Sequence, residues 1–425
     1  MTTAYVIALL LSAICGAPLF VIIGALAIVL FTAGGIDPQA VIIEMYRLAS
    51  APTLIAIPLF TFAGYLLAES KSPERMVELY RSIFGWMPGG FAIVSFIACA
   101  FFTAFTGASG VTIIALGGLL YPILISERYS EKFSLGLLTT GGSLGLLFPP
   151  SLPLILFAVI AQVNIDALFL AGIVPGIFLI TLLSLFSIKA GMKAGVVRQK
   201  FEFKKMLRAL SAAAWIIPLP FVILVGIYGG IFTASEAAAI AVLYVLFIEI
   251  CIYGDIKIKK DIPRIAANSM TLVGGVLVIL GCALGLTNYL VDEQIPMKIL
   301  EFMRTFITSK IMFLAVLNVF LLVIGCLMDI FSATIVVVPL IVPIAKEFGV
   351  DPIHLGIIFL TNLEIGYSTP PVGLNLFISS FRFKKPIPEL YRASLPFLAV
   401  LLVALVVITY FPDLSLGLVR LFGKG

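Results

Sequence analysis

The sequence predicts an all-α polytopic membrane protein built from inverted repeats, with two re-entrant hairpins and two broken helices, and three observations support this. First, hydrophobic residues make up 61% of the chain and charged ones 12%, with a mean hydropathy of +1.19; a soluble domain carries about 25% charged residues. Second, apolar stretches recur along the whole length, among them Val6 to Thr32, Leu168 to Ile188, Val273 to Tyr289 and Phe397 to Phe411. They are long enough for the roughly 30 Å hydrocarbon core and lack the ten-residue alternation of a barrel. Third, Pro122, Thr140, Gly145, Pro149, Pro150 and Pro175 recur as Pro343, Thr361, Gly366, Pro370, Pro371 and Pro396, all at one offset (343 − 122 = 396 − 175 = 221). Chance gives about one proline-on-proline match at any one offset, and four are found, which marks an internal repeat.

The elements follow in chain order. No basic region precedes the first apolar run, and that run is too long for a signal-peptide core, so it is a predicted membrane segment. An apolar run from Phe91 to Phe105 meets Thr106-Gly107-Ala108-Ser109-Gly110 and resumes to Pro122. Each arm is too short to span comfortably, so the predicted element is a re-entrant hairpin. The next helix breaks at Gly145 to Pro150, because proline lacks an amide donor and disfavours helix in the residue before it. A half-helix follows from Ser151 to Gln162. Trp215 to Tyr253 has room for two crossings, split at Gly229-Gly230. The second copy repeats the pattern: Ile311 to Ile324, an interruption over Gly325 to Thr334, resumption to Pro343, a break at Gly366 to Pro371, and a half-helix from Val372 to Phe381.

Orientation comes from charge. The net charge is +5, and basic residues cluster at Lys189, Lys193, Arg198, Lys200, Lys204, Lys205 and Arg208, then at Lys257, Lys259, Lys260 and Arg264, then at Arg382, Lys384, Lys385 and Arg392. Short basic loops beside membrane segments are predicted to be cytoplasmic rather than nucleic-acid patches. Arg382 to Lys385 maps at the 221 offset onto Ala161 to Asn164, which holds no basic residue, so the two copies are predicted to face opposite sides. The five cysteines, Cys15, Cys99, Cys251, Cys282 and Cys326, lie in apolar stretches without metal-ligand spacing, which argues against disulfides and structural zinc.

In a chain this apolar, a duplicated pair of Gly- and Pro-interrupted segments points to the binding site of a secondary transporter. Freed carbonyls at a break suit a hard cation such as Na⁺, and half-helix N-termini at Ser151 and Thr369 suit a carboxylate. Two cation sites are expected. The first uses the hairpin tip with Thr106, Gly107 and Ser109, and the break with Gly142, Ser143, Gly145 and Phe148. The second uses Asp329, Ser332 and Thr334 with Gly366, Ser368 and Thr369. Ser109, Ser151, Thr369 and Asn375 are the candidate substrate contacts.

Competing roles are open for several of these. Each hydroxyl has the alternative of bonding a carbonyl of its own helix turn, and Asp329 that of capping a helix. Asn375 is as well suited to a helix-to-helix hydrogen bond. Glu364, beside the second break, is a candidate to coordinate, to carry a proton or to pair with a base such as Arg382. Glu236 and Glu249 are expected to cap or lock neighbouring helices, and His354 to stand at a membrane surface. With no P-loop, no H-E-x-x-H and no G-x-S-x-G, the sequence carries no recognisable enzyme constellation, and pumping must draw on an ion gradient.

Three stretches resemble the large membrane subunit of tripartite ATP-independent periplasmic (TRAP) transporters, within the wider ion-transporter superfamily: Gly230-Ile231-Phe232-Thr233-Ala234-Ser235-Glu236-Ala237-Ala238-Ala239, Gly145-Leu146-Leu147-Phe148-Pro149-Pro150-Ser151 and Gly366-Tyr367-Ser368-Thr369-Pro370-Pro371-Val372-Gly373. Ala234 departs from the family, which commonly has proline there. The resemblance implies a bacterial inner-membrane protein and an elevator mechanism, with a transport domain at 89–165 and 309–382 moving against scaffold segments at 1–88, 166–308 and 383–425. It also implies Na⁺ coupling at two or more sites, a separate small four-helix membrane subunit, a periplasmic substrate-binding protein, and organic acids such as C4-dicarboxylates or sialic acids as cargo. Two other functions compete: a stand-alone divalent-anion sodium symporter of the same superfamily, and a passive anion channel.

Overall fold

A computed structural model describes residues 17–49, 52–87, 89–194, 201–307 and 309–423, with a few single positions before Ala17. The start of the first apolar segment, Cys15, and Arg198 and Lys200 of the first basic cluster lie outside the described residues, as do positions 88 and 308 beside two of the expected domain boundaries. Seven described helices are long and apolar enough to cross a membrane, or nine if each of two bent pairs counts as one span.

The chain enters through α1 (Leu19–Ala33), α2 (Gln39–Ala49) and α3 (Ala56–Glu69), with α4 (Ser72–Phe84) leading into the first copy. That copy comprises α5 (Gly90–Thr106), α6 (Ser109–Ser126), α7 (Glu131–Gly141), a 3₁₀ turn (Leu144–Leu147), α8 (Leu152–Ala161) and α9 (Ile165–Ala194). A middle section follows, made of α10 (Phe203–Ala213), α11 (Pro218–Tyr228), α12 (Ala234–Phe247), α13 (Asp261–Asp292) and α14 (Ile295–Arg304). The second copy is α15 (Lys310–Leu327), α16 (Ile330–Glu347), α17 (Pro352–Gly366), α18 (Leu374–Phe383) and α19 (Ile387–Tyr410), closed by α20 (Asp413–Leu421).

The two copies share their boundaries as well as their prolines. Adding 221 to Ser109 and Ser126 gives 330 and 347, the two ends of α16. The caps repeat too: Ser130 accepts from the Phe133 amide to start α7, and Asp351, 221 residues later, accepts from the Ile353 amide at 2.7 Å to start α17. Packing is reciprocal: α6 lies against α18 and α16 against α8, so the second arm of each hairpin touches the half-helix of the other copy. α9 and α19 pack on each other and on the broken helices α17 and α7 respectively. The helices α1, α2 and α3 gather instead around α13, and α12 packs on α3.

Local chemistry sets the ends. Thr233 and Glu236 form a reciprocal capping box at the start of α12, so Ala234 in place of proline leaves that helix start intact. Glu249 accepts from Ser72 and ties the end of the α12 span to α4, the locking role expected of it. Arg75 of α4 pairs with Asp255 and lies 3.8 Å over the Tyr253 ring. Burial works against the Arg75 charge, but the hydrogen bond to Asp255 holds its guanidinium above the usual arginine range.

Several expectations about extent need correcting. The hairpin arms are longer than the sequence suggested: α6 runs through Pro122 to Ser126 and α16 through Pro339 and Pro343 to Glu347, each 18 residues. The second tip is two residues, Met328 and Asp329, rather than Gly325 to Thr334, because Asp329 caps α16 at once. The last half-helix starts at Leu374, after Gly373 with φ +61°, so Thr369 is not at its N-terminus.

Candidate functional site

In each copy the hairpin tip docks on the break of the same copy. At the first, α5 ends on Gly107, whose φ of +65° allows the chain to reverse, and α6 begins at Ser109. A Cβ at Gly107 would fall 2.6 Å from Cβ of Leu152, the first residue of α8, so the tip sits on the start of the half-helix. At the second, the Gly373 amide donates to the Cys326 carbonyl at 3.0 Å, and the Tyr367 hydroxyl accepts from the amide of Ile330, the first residue of α16.

Backbone touches backbone beside both tips. A Cβ on Gly145 would stand 2.5 Å from the Ala104 nitrogen, and one on Gly366 would stand 2.6 Å from the Gly325 Cα. These are equivalent pairs, since 145 + 221 = 366 and 104 + 221 = 325. Glycine is required where main chains approach this closely.

The double prolines interrupt their helices as expected. Glu131–Leu147 and Leu152–Ala161 are bent by 46° at the first break, and the Pro149–Pro150 and Pro370–Pro371 bonds are both cis. Ser151 precedes α8 with its hydroxyl buried and without a hydrogen-bond partner, and no side chain caps that helix. Positive dipole and free amides are therefore presented at the first break. The second half-helix differs: its Gly373 and Asn375 amides are already given to Cys326 and Tyr367.

The named oxygens divide into committed and uncommitted. Thr334 bonds the Ile330 carbonyl of its own helix, and Thr369, just past the end of α17, bonds the Ile365 carbonyl. Asp329 accepts from the Phe331 and Ser332 amides at 3.0 Å and from the Ser332 hydroxyl, so its carboxylate is the cap of α16. Ser143 donates to Thr140 at 3.3 Å and to Glu364 at 3.4 Å. Thr106 makes only long contacts with Ala108, at 3.4 and 3.5 Å. Ser368 Oγ and Asn375 Oδ1 are buried without a partner, although the Asn375 amide nitrogen donates to the Thr139 carbonyl at 3.2 Å. Asn375 thus joins the second half-helix to the first broken helix.

Two groups at the first site escaped sequence reasoning. The Thr103 hydroxyl lies 2.7 Å from both the Gly142 carbonyl and the Thr112 hydroxyl, binding the hairpin to the end of α7. A threonine in each apolar arm, facing inward, was the available signal. His354, in the first turn of α17, is 2% exposed, with one ring nitrogen 3.2 Å from Ser415 Oγ and the other 3.2 Å from the Thr409 carbonyl. Arg382 packs over Gly117 and Gly118 and forms no ion pair with Glu364 among the described residues.

Comparison with known proteins gives the same picture. The chain resembles the C4-dicarboxylate TRAP transporter large permease protein DctM of Pseudomonas aeruginosa, at 35% identity over 94% of this chain and 93% of that protein. It is 30% identical to the sialic acid TRAP transporter large permease protein SiaM of Vibrio cholerae, over 87% of each. Among solved structures, the YdaH transporter of Alcanivorax borkumensis shares the fold, with a TM-score of 0.64 at 15% identity over 89% of both chains. The family described as tripartite ATP-independent periplasmic transporter, DctM component, matches residues 3–414. The chain is a multi-pass bacterial inner-membrane protein and belongs to that family of transporter permeases, not to an enzyme family.

Proposed function

We propose that the chain is the Na⁺-coupled subunit that carries an organic acid across the inner membrane, working with a separate small membrane subunit and a periplasmic substrate-binding protein. The observation that carries this reading is the pair of interrupted helices, where Ser151 Oγ, Ser368 Oγ and Asn375 Oδ1 are buried with no protein partner. Buried polar atoms of this kind need an occupant, and oxygen atoms beside unwound backbone match the ligand preference of a hard cation.

Na⁺ would be held at the first site by main-chain carbonyls near Thr106, Gly107, Gly142, Gly145 and Phe148 with Ser109 and Ser143. At the second it would be held near Asp329, Ser332, Gly366, Ser368 and Thr369. The ion supplies a positive charge that offsets an anionic cargo in a low-dielectric site. The acid group is placed at the uncapped start of α8, beside Ser151, where the helix dipole favours negative charge. Relatives named for C4-dicarboxylates and sialic acid support a carboxylate as the recognised group.

Movement is proposed as a sliding of the hairpins and broken helices as one body against the helices around α13. The test is uptake into proteoliposomes with both partner proteins present, with and without an inward Na⁺ gradient. Accumulation that needs the gradient and the binding protein supports the reading. Uptake by the chain alone would favour a stand-alone symporter, and purely downhill flux that ignores Na⁺ would favour a channel.

A further inference from the structure

We propose a further interaction surface: α10 lies in the headgroup region of the cytoplasmic leaflet and binds anionic phospholipid there through Lys204 and Arg208. The helix (Phe203–Ala213) has three distinct faces. Ala209 and Ala213 are buried and Met206 is half-buried on the side that packs on α4. Phe203, Leu207 and Leu210 follow the i, i+4, i+7 spacing of a second face and are 41% to 62% exposed, with Trp215 just beyond the helix at 48%. Lys204 and Arg208, one turn apart and exposed, form the third face and make no ion pair among the described residues.

Local structure holds α10 in that posture. α11 carries no charged residue and is the crossing part of the pair, and the two helices are bent by 60° where Pro218 starts α11. The bend therefore turns α10 towards the membrane surface. Carbonyls beside the bend are taken up by tyrosines: Tyr253 donates to Ala212 at 2.8 Å and Tyr244 to Trp215 at 2.7 Å, which ties the corner to the α12 span. The basic loop with Lys257, Lys259 and Lys260 stands on the same side, since Arg75 of α4 pairs with Asp255, and Arg264 with Glu69 at 3.0 Å. By the charge rule that orients such loops, this side is cytoplasmic.

An apolar stripe this exposed is unfavourable in water and at rest against acyl chains. Cations beside such a stripe, on a helix with no acidic residue to answer them, complement an anionic leaflet. Glu202, just before the helix, is taken by Lys205 at 2.8 Å, which leaves Lys204 and Arg208 uncompensated. A cation near an anionic membrane surface is worth roughly a fivefold gain in lipid affinity, so the two together give about 25-fold. The consequence reaches the first hairpin: Arg81 of α4 donates at 2.7 Å to Glu127, which ends α6. Through α4, the lipid contact ties the base of that hairpin to the membrane surface.

The chain has two tryptophans, Trp86 and Trp215, which makes the test direct. In the Trp86→Phe variant, Trp215 reports alone from the full chain reconstituted in phosphatidylcholine vesicles. Phosphatidylglycerol brominated near its headgroup should quench Trp215 at a several-fold lower mole fraction than phosphatidylcholine brominated at the same place. Lys204→Gln together with Arg208→Gln should remove that preference, with quenching by brominated phosphatidylcholine and the unfolding temperature in detergent unchanged. Should the double variant fail to assemble, Arg208→Gln alone should lower the preference about fivefold, and high salt should weaken it in the parent. Equal quenching by the two lipids, no quenching by either, or a preference that survives both substitutions would overturn the proposal. So would loss of quenching on adding a tryptophan-free small membrane subunit, which would assign the apolar stripe to a protein partner. None of these readouts involves Na⁺ or cargo, so failure here leaves the proposed transport function standing.

Discussion

The Ser143 hydroxyl donates, at 3.4 Å, to the carbonyl of Glu364, the residue that occupies its own position in the other copy. The contact joins the break that follows α7 to the end of α17. Ser143→Ala removes this bond and the 3.3 Å bond to Thr140. Both are long, so thermal unfolding in detergent should register a loss of only about 0.5–1.5 kcal/mol.

Asp329 has been assigned two roles, and two substitutions separate them. Asparagine is as good a helix cap as aspartate, whereas alanine costs about 0.5–2 kcal/mol at such a position. Asp329→Asn should therefore keep the wild-type unfolding temperature and raise the Na⁺ concentration needed for half-maximal uptake several-fold. Asp329→Ala should do both kinds of damage. An unchanged Na⁺ requirement in the asparagine variant would remove Asp329 from the cation site and leave it a cap.

Thr103 is fully buried between Thr112 and the Gly142 carbonyl. Thr103→Val is close in shape but orphans that carbonyl, so a loss of about 1–3 kcal/mol is expected. The double change with Thr112→Val should cost less than the sum of the two single changes, because they share one bond. A double-mutant cycle on thermal unfolding reads this directly.

Much of the fold could be read from side-chain types. Proline and glycine act through the backbone, so the breaks at Pro149-Pro150 and Pro370-Pro371 and the turn at Gly107 were visible from spacing alone. Prolines inside helices were not: Pro122 and Pro343 interrupt less than expected, and α6 and α16 run on past them. At the site, sequence named candidate hydroxyls but not their partners. Thr334 and Thr369 turned back to the carbonyls four residues before them, while Ser151 and Ser368 did not. That choice is made by rotamer and neighbours, which local sequence does not encode. The burial of His354 was missed for a similar reason, because its partners Thr409 and Ser415 come from about 55 to 61 residues away.

Gly145→Ala and Gly366→Ala should be alike in effect, since each would push a methyl group into main chain rather than into a yielding side chain. Overpacking of this sort costs about 1–3 kcal/mol or more. Expression and unfolding temperature should fall for both, and a tolerant result at either position would show that the joint can spread.

The 325/366 contact holds no side chain that could be shortened, and at 104/145 the Ala104 methyl is all there is. Substitution at Gly145, Gly325 or Gly366 works in one direction only: it can wedge the hairpin away from the helix it leans on, and it can never slacken the fit by trimming. Variants that loosen this packing will therefore have to be sought away from these joints, at positions where a bulky side chain can be whittled down.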